Sequence, residues 1–246
     1  MWRSFFEFLD FITVFIPVKS WREHFRRTKT FNYRRKLNAL KHKYPKMDWK
    51  HMRLAKGGGS LAFIVGDTVF KVRKYDNEPD IDTKFRREKR ITDALQDVLP
   101  IQVPKIEIIK VGGYLVYKTK LIPGCVLMDL PMKRIMANRD KIGNQIGEIM
   151  FKMFNAKLPE LDDLKATKYD ARDYGLIHGD MCSNIIVNPE TMDIVGIIDW
   201  EYASFGSLRR EFFGIFRVRR KMRKTDIGPI AMWHYLELRD LGKKRN

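Results

Sequence analysis

Leu176-Ile177-His178-Gly179-Asp180-Met181-Cys182-Ser183-Asn184-Ile185-Ile186-Val187, followed further on by Ile197-Ile198-Asp199-Trp200-Glu201, is the stretch that decides the fold of this 246-residue chain. Ile185-Ile186-Val187 and the run from Ile194 to Ile198 are short β-runs on either side of a turn at Asn188-Pro189-Glu190, which together predict a hairpin. Asp180 and Asn184 precede its first strand and Asp199 ends its second, so pairing the strands brings two carboxylates and an amide to one end. A carboxylate there can orient a hydroxyl and accept its proton, while the amide oxygen and the second carboxylate are hard donors of the kind magnesium prefers. Capping of turns also uses Asp and Asn, but it does not require three such groups in this order.

Upstream, the pattern is β-rich. A short strand near Met52 to Leu54 runs into Lys56-Gly57-Gly58-Gly59-Ser60, and Leu61 to Val65 and Thr68 to Lys74 resume as strands about a Gly66-Asp67 turn. From Thr83 a helix is predicted, with Phe85, Ile91, Ala94 and Leu95 on one stripe and Pro100 closing it. Two further strands, Lys105 to Lys110 and Tyr114 to Thr119, flank Gly112-Gly113. After Pro123-Gly124 residues 128–157 read as helical, with Ile135, Ile142, Ile146, Ile149, Met150, Met153 and Phe154 on roughly one face, and helices resume near Ser207.

Transfer of a phosphoryl group from ATP asks little covalent chemistry of a protein; it needs metal ions on the phosphates, a carboxylate for the attacking hydroxyl, and a strand lysine positioned by a helix carboxylate. Lys71, in Val69-Phe70-Lys71-Val72, fits that lysine, and Glu88, in the helix that begins near Thr83, fits its partner. The turn Gly58-Gly59-Ser60 precedes that strand and permits backbone N–H groups to approach phosphates closely. A solvent-facing strand lysine and a surface glutamate are the bland alternative.

The segment from His178 to Glu201 resembles the catalytic and metal-binding motifs of the aminoglycoside phosphotransferase and choline kinase superfamily, which has the protein kinase-like fold: His-Gly-Asp, a downstream Asn, and Ile-Asp-Trp-Glu. It is also similar to bacterial lipopolysaccharide core sugar kinases. The fold resemblance spans residues 52–222 and its specific part is His178 to Glu201. It implies an α+β, bilobal architecture, with a β-rich N-lobe containing one helix and a helical C-lobe, to which the residues before it add a basic helical N-terminal extension. The implied divisions are 1–51 for the extension, 52–121 for the nucleotide-binding lobe and 122–246 for the catalytic and acceptor-binding lobe. It further implies Asp180 as catalytic base, Asn184 and Asp199 as magnesium ligands, and a hinge at Lys118, Thr119 and Lys120 whose backbone meets the adenine. One departure stands out: the family places four residues between the Asp and the Asn, whereas only Met181, Cys182 and Ser183 intervene here. Asn184 is preferred over Asn188, which sits in the turn. His178 is expected to order the loop, not to act as base.

Composition narrows the partners. The net charge is +18, yet residues 1–56 carry +11 and residues 207–246 carry +8, so the stretch between them is close to neutral at −1. Clustered flanking charge gathers anionic partners. The stretch from Trp2 to Val18 is too short and too charged for a membrane span; with the basic run Arg22, Arg26, Arg27, Lys29, Arg34, Arg35 and Lys36 it reads either as an interfacial helix on an anionic membrane or as an extra helix packed on the small lobe. Arg217, Arg219, Arg220, Lys221, Arg223 and Lys224 suit an anionic acceptor or a solvated helix face. Nucleic acid is not expected, since no reader motif accompanies the charge. The two cysteines, Cys125 and Cys182, make no disulfide framework and favour a reducing cytoplasm.

These readings converge on an ATP- and magnesium-dependent phosphotransferase acting on a hydroxyl of a small molecule or saccharide, with a sugar of a lipopolysaccharide or other surface glycan as the favoured acceptor. The alternatives are an aminoglycoside or amino-alcohol kinase, which the basic flanks disfavour because its acceptors are cationic, and a membrane-associated pseudokinase, for which the shortened Asp180–Asn184 loop is the support. A protein kinase is disfavoured because no Asp-Phe-Gly or Ala-Pro-Glu signature follows.

Overall fold

Apolar residues at every second position build the first sheet. In the computed structural model, which describes residues 31–56, 60–74, 81–165, 174–217 and 224–243, strands β1 (Arg53–Lys56), β2 (Ser60–Val65), β3 (Thr68–Arg73), β4 (Glu107–Val111) and β5 (Tyr114–Lys120) form a five-stranded sheet of order β1-β2-β3-β5-β4. Trp2 to Val18, the basic run through Lys29, Gly58 and Gly59, and residues 219–223 lie outside the described residues. The β2–β3 hairpin is antiparallel, with Phe63 opposite Phe70 and Ala62 opposite Lys71. Phe63, Phe70 and Val72 are fully buried. Lys71, one step out of phase, therefore projects from the other face.

Helix α1 (Phe31–Lys43) closes the inner face of this sheet. Leu40 is 1% exposed and joins Leu61, Phe63, Phe70, Val72, Val111 and Val116, with Leu37 packed against them. Tyr44 and Trp49 extend the contact, their rings 5.1 and 5.9 Å from that of Phe70. Lys36, read among the lipid-facing cations, is also buried: its Nζ donates to the Arg73 carbonyl at 2.7 Å and lies 5.3 Å from the centre of the Tyr114 ring. Gly112, at φ +55°, lets the β4–β5 turn approach the helix; a Cβ there would fall 2.6 Å from that of Ala39. Of the two readings of the basic N-terminal region, residues 31–43 follow the packed-helix one.

The chain divides into two units, residues 1–82 with 108–118, and residues 83–107 with 119–246. The chain thus passes from one unit to the other more than once. Helix α2 (Ile81–Leu95) mostly joins the larger unit because its apolar stripe is spent there. Ile91 and Leu95 are fully buried in the core of that unit, each worth about 1.5–3 kcal/mol.

The larger unit continues with β6 (Cys125–Val126), α3 (Met132–Ala137), α4 (Arg139–Phe154), β7 (Tyr174–Ile177), β8 (Ile185–Val187), β9 (Ile194–Ile197), β10 (Ser204–Ser207), α5 (Leu208–Arg217) and α6 (Ile227–Lys243). The helical run expected over 128–157 is broken at Asn138, whose side chain folds back to the Arg134 carbonyl at 3.0 Å. Ile142, Ile146, Ile149, Met150 and Met153 line the buried face of α4. Strands β6-β8-β9 form one sheet, and β7 pairs antiparallel with β10, a strand that the sequence pattern did not signal. No helix among the described residues is long and apolar enough to cross a membrane.

Candidate active site

The β8–β9 hairpin sets the site. Ile185 pairs with Ile197, and the Ile198 N–H donates to the Asn184 carbonyl at 3.1 Å, so Asn184 and Asp199 emerge side by side at one end. Between β7 and β8 the chain makes a single 3-10 turn, Met181–Ser183, whose flanks are Asp180 and Asn184. Met181 and Cys182 are buried in the core beneath it, which leaves Asp180 half-exposed above. The three intervening residues are thus one turn of 3-10 helix, and the missing fourth residue leaves the turn closed.

Hydrogen bonds fix each polar side chain. Asn184 Nδ2 donates to the Asp180 carbonyl at 2.8 Å, and Ser183 Oγ donates to Asp180 Oδ1 at 3.3 Å. Asn188, the alternative amide, spends its Oδ1 on the turn, accepting from the backbone N–H groups of Glu190 at 2.8 Å and Thr191 at 3.3 Å. His178 is completely buried, its ring 4.5 Å from that of Trp200. Its Nδ1 accepts from the Asp180 N–H at 3.2 Å, which places the ring proton on Nε2, facing the Ile198 carbonyl at 3.0 Å. Burial holds this imidazole down to about 4, despite the opposing pull of the Ile198 carbonyl, Asp199 and Asp180, so it is neutral at pH 7 and ties the loop that carries Asp180 to the end of β9.

Asp199 sits at φ +64°, ψ +58°, a left-handed conformation a non-glycine residue adopts only when its surroundings impose it. Part of that imposition comes from α2. Glu88 is fully buried and accepts the Trp200 N–H at 3.1 Å, and the neighbouring Arg87 donates to the Ala203 carbonyl at 2.9 Å. Glu88 is therefore not the surface carboxylate of the bland reading; it holds the backbone immediately after Asp199.

A residue that the motif reading passed over completes the loop. Glu211, on α5, is 2% exposed and accepts the Gly179 N–H through Oε2 at 2.8 Å. Burial pushes its carboxyl up to about 7, against the pull of the Gly179 and His178 N–H groups. The available signal was an acid set in an aromatic helix start, Glu211-Phe212-Phe213.

Of the other expected site residues, Lys71 lies on the third strand as anticipated, its Nζ 5.5 Å from the centre of the Tyr117 ring. Ser60 is buried at the start of β2, opposite Arg73. Lys118, Thr119 and Lys120 end β5, with Lys118 Nζ 5.7 Å from the Tyr44 ring centre. Among the described residues no three His, Cys, Asp or Glu side chains gather to hold a metal. Asn184 and Asp199 would nonetheless suit magnesium: the Asn184 amide nitrogen is committed to the Asp180 carbonyl, which leaves its amide oxygen, with the Asp199 carboxylate, as a hard oxygen donor.

Comparison with known proteins agrees with this geometry. Residues 137–221 match the profile of a family described as the phosphotransferase enzyme family. The fold is similar to that of the aminoglycoside phosphotransferase APH(2'')-Ib with ADP bound, at 15% identity and TM-score 0.63 over 81% of each chain. It is equally similar to APH(2'')-IIa in a complex with streptomycin and ATP, at 14% identity and 0.63 over 82% of this chain and 81% of that one. The macrolide 2'-phosphotransferase MphH from Brachybacterium faecium gives 14% identity and 0.60 over 82% of both. The sequence matches no curated protein. The likeness read from His178 to Glu201 thus extends well beyond that segment: this chain has the kinase-like fold of the aminoglycoside and macrolide phosphotransferases.

Proposed function

We propose that the protein is an ATP- and magnesium-dependent phosphotransferase whose acceptor is a hydroxyl of a small molecule, and within that class a saccharide of a surface glycan such as lipopolysaccharide. The observation that carries the reading is the clamp at the hairpin end, where Asn184 donates its amide to the Asp180 carbonyl while its own carbonyl receives the Ile198 N–H, next to Asp199. In this reading Asp180 orients the acceptor hydroxyl and takes its proton as the oxygen bonds to the γ-phosphorus and the bond to the ADP oxygen breaks. Asn184 and Asp199 would hold the magnesium, which would supply positive charge to offset that of the phosphates. Lys71 and the Gly58-Gly59-Ser60 turn serve the phosphates, and the strand end Lys118, Thr119 and Lys120 serves the base.

The saccharide acceptor rests on charge. Phosphorylated or acidic sugars suit a chain whose flanks carry +11 and +8, whereas cationic aminoglycosides do not. The same flanks support peripheral binding to an anionic membrane on the cytoplasmic side. The test is transfer of labelled γ-phosphate from ATP with magnesium to lipopolysaccharide or capsule precursors, with aminoglycosides and amino alcohols in parallel. Labelling of the glycan that disappears in Asp180→Asn is the expected result. Labelling of an aminoglycoside alone would overturn the acceptor, and ATP binding without transfer or hydrolysis would favour a pseudokinase.

A further inference from the structure

Helix α1 uses one side for packing and leaves the other to solvent. Its inner side is fixed to the first sheet: Leu40 enters the core, Lys36 Nζ donates to the Arg73 carbonyl at 2.7 Å, and Lys43 Nζ donates to the Lys110 carbonyl at 3.0 Å. Its outer side carries Arg34, Arg35, Asn38 and Lys41, all exposed, which at 3.6 residues per turn lie away from Leu40. The chain that leaves the helix adds the exposed Lys46 and Lys50. The helix contains no acid, and among the described residues none of Arg34, Arg35, Lys41, Lys46 and Lys50 forms an ion pair.

The other helices treat exposed cations differently. On α2, Lys89 pairs with Asp93 at 2.6 Å and Arg90 with Asp163 at 2.7 Å; on α4, Lys141 pairs with Asp193 at 2.6 Å and Lys152 with Glu148 at 3.1 Å. A solvated face mixes signs in this way because like charges repel across a helix surface. The single-sign face of α1 is therefore a cost to the fold until anions meet it.

Two observations select the anions. Tyr44 and Trp49 are packed onto Phe70, and no large apolar side chain between residues 34 and 53 is exposed, so the face offers no ring on which nucleic acid bases could stack. In sequence, the chain reaches α1 from Trp2 to Val18, rich in Phe, Ile and Val, by way of Arg22, Arg26, Arg27 and Lys29. Apolar residues followed by cations suit the acyl boundary and headgroups of a membrane, and apolar residues add nothing to the binding of a soluble polyanion.

We infer that the outer face of α1 is a docking surface for an anionic membrane, with Arg34, Arg35, Lys41, Lys46 and Lys50 set against lipid phosphates. This surface rests on the membrane reading of the basic flanks and narrows it to one face of one helix, independently of the acceptor. Because packing and the Lys36 and Lys43 bonds fix α1 to the sheet, docking orients the sheet as well as tethering it. Lys71 projects from the face of the sheet opposite α1, so docking turns it away from the lipid.

The test is sedimentation of full-length protein with phosphatidylcholine vesicles, with and without phosphatidylglycerol. The unmodified protein should bind only the anionic vesicles, and less tightly as salt rises. Arg34→Gln/Arg35→Gln/Lys41→Gln should weaken that binding by about 10²-fold, at about fivefold per cation. Asn38→Glu, which sets one acid in the middle of the face, should weaken it as well. Lys89→Gln/Lys141→Gln/Lys152→Gln removes the same charge from paired positions and should have a far smaller effect. Equal losses in the two triple variants, or unchanged binding in the α1 triple variant, overturn the inference and leave the broader membrane reading of the flanks in place. No binding of unmodified protein to anionic vesicles overturns both. Single-stranded RNA that displaces the protein from vesicles at equal phosphate concentration overturns lipid as the occupant. None of these readouts requires phosphoryl transfer.

Discussion

The loop that carries Asp180 and the strand that carries Lys71 use polar residues in opposite ways. Around Asp180 the anchoring groups are buried: His178, Glu88 and Glu211 are each at most 2% exposed, and each is bonded to backbone. On β3, Lys71 stands half-buried over the ring of Tyr117, and it is Phe70 and Val72 that anchor the strand. A loop has no ladder to hold it, so its conformation must be fixed by side chains reaching into it, whereas a strand is held by its neighbours and can leave a polar side chain to a ligand. Stability and catalysis should therefore be entangled at the buried groups that anchor the loop and separable on the strand.

The largest stability effect is expected for His178→Ala, which deletes a fully buried ring and leaves the Ile198 carbonyl and Asp180 N–H unpaired; about 3 kcal/mol should be lost in urea denaturation. Charge on Glu211 gives an effect of similar size that depends on pH. Its folded-state value, raised to about 7 from an ordinary 4.5, favours folding below 4.5, and that contribution is lost as pH rises through 7. The stability of Glu211→Gln relative to the unmodified protein should therefore rise between pH 4.5 and 7 by up to about 3 kcal/mol. His178 works the other way, because its depressed value costs stability as pH falls from 6.5 towards 4, so the unmodified protein should be the flatter of the two across that window.

Glu88→Ala comes next. It strips the partner from the buried Trp200 N–H, for about 2 kcal/mol, and should raise the magnesium concentration needed for nucleotide binding by loosening Asp199. Lys71→Met is the smallest in stability, about half a kcal/mol or less, and should nonetheless weaken ATP binding. A Lys71→Met protein as unstable as Glu88→Ala would break the contrast between loop and strand.

The order Asp180, Asn184, Asp199 and the place of Lys71 on the third strand were legible because they depend on local spacing around apolar runs that pair with their neighbours. What escaped is what tertiary contact alone decides. β10 is Ser-Phe-Gly-Ser, with no apolar alternation, and exists because β7 offers it an edge. Leu40 and Lys36 read as an exposed extension because their burial depends on a sheet far along the chain. Glu88 was expected as the helix carboxylate for Lys71, yet its bond to Trp200 spans 112 residues, and Glu211 reaches Gly179 across 32. No periodicity reports such a bond.

The central claim is that Asp180 takes the proton of the attacking hydroxyl, and the most direct measurement compares unmodified protein with Asp180→Asn. Transfer from ATP to the acceptor should fall by about 10²- to 10⁴-fold in the variant, with ADP affinity and thermal stability nearly unchanged. Transfer at an undiminished rate in Asp180→Asn would contradict the account.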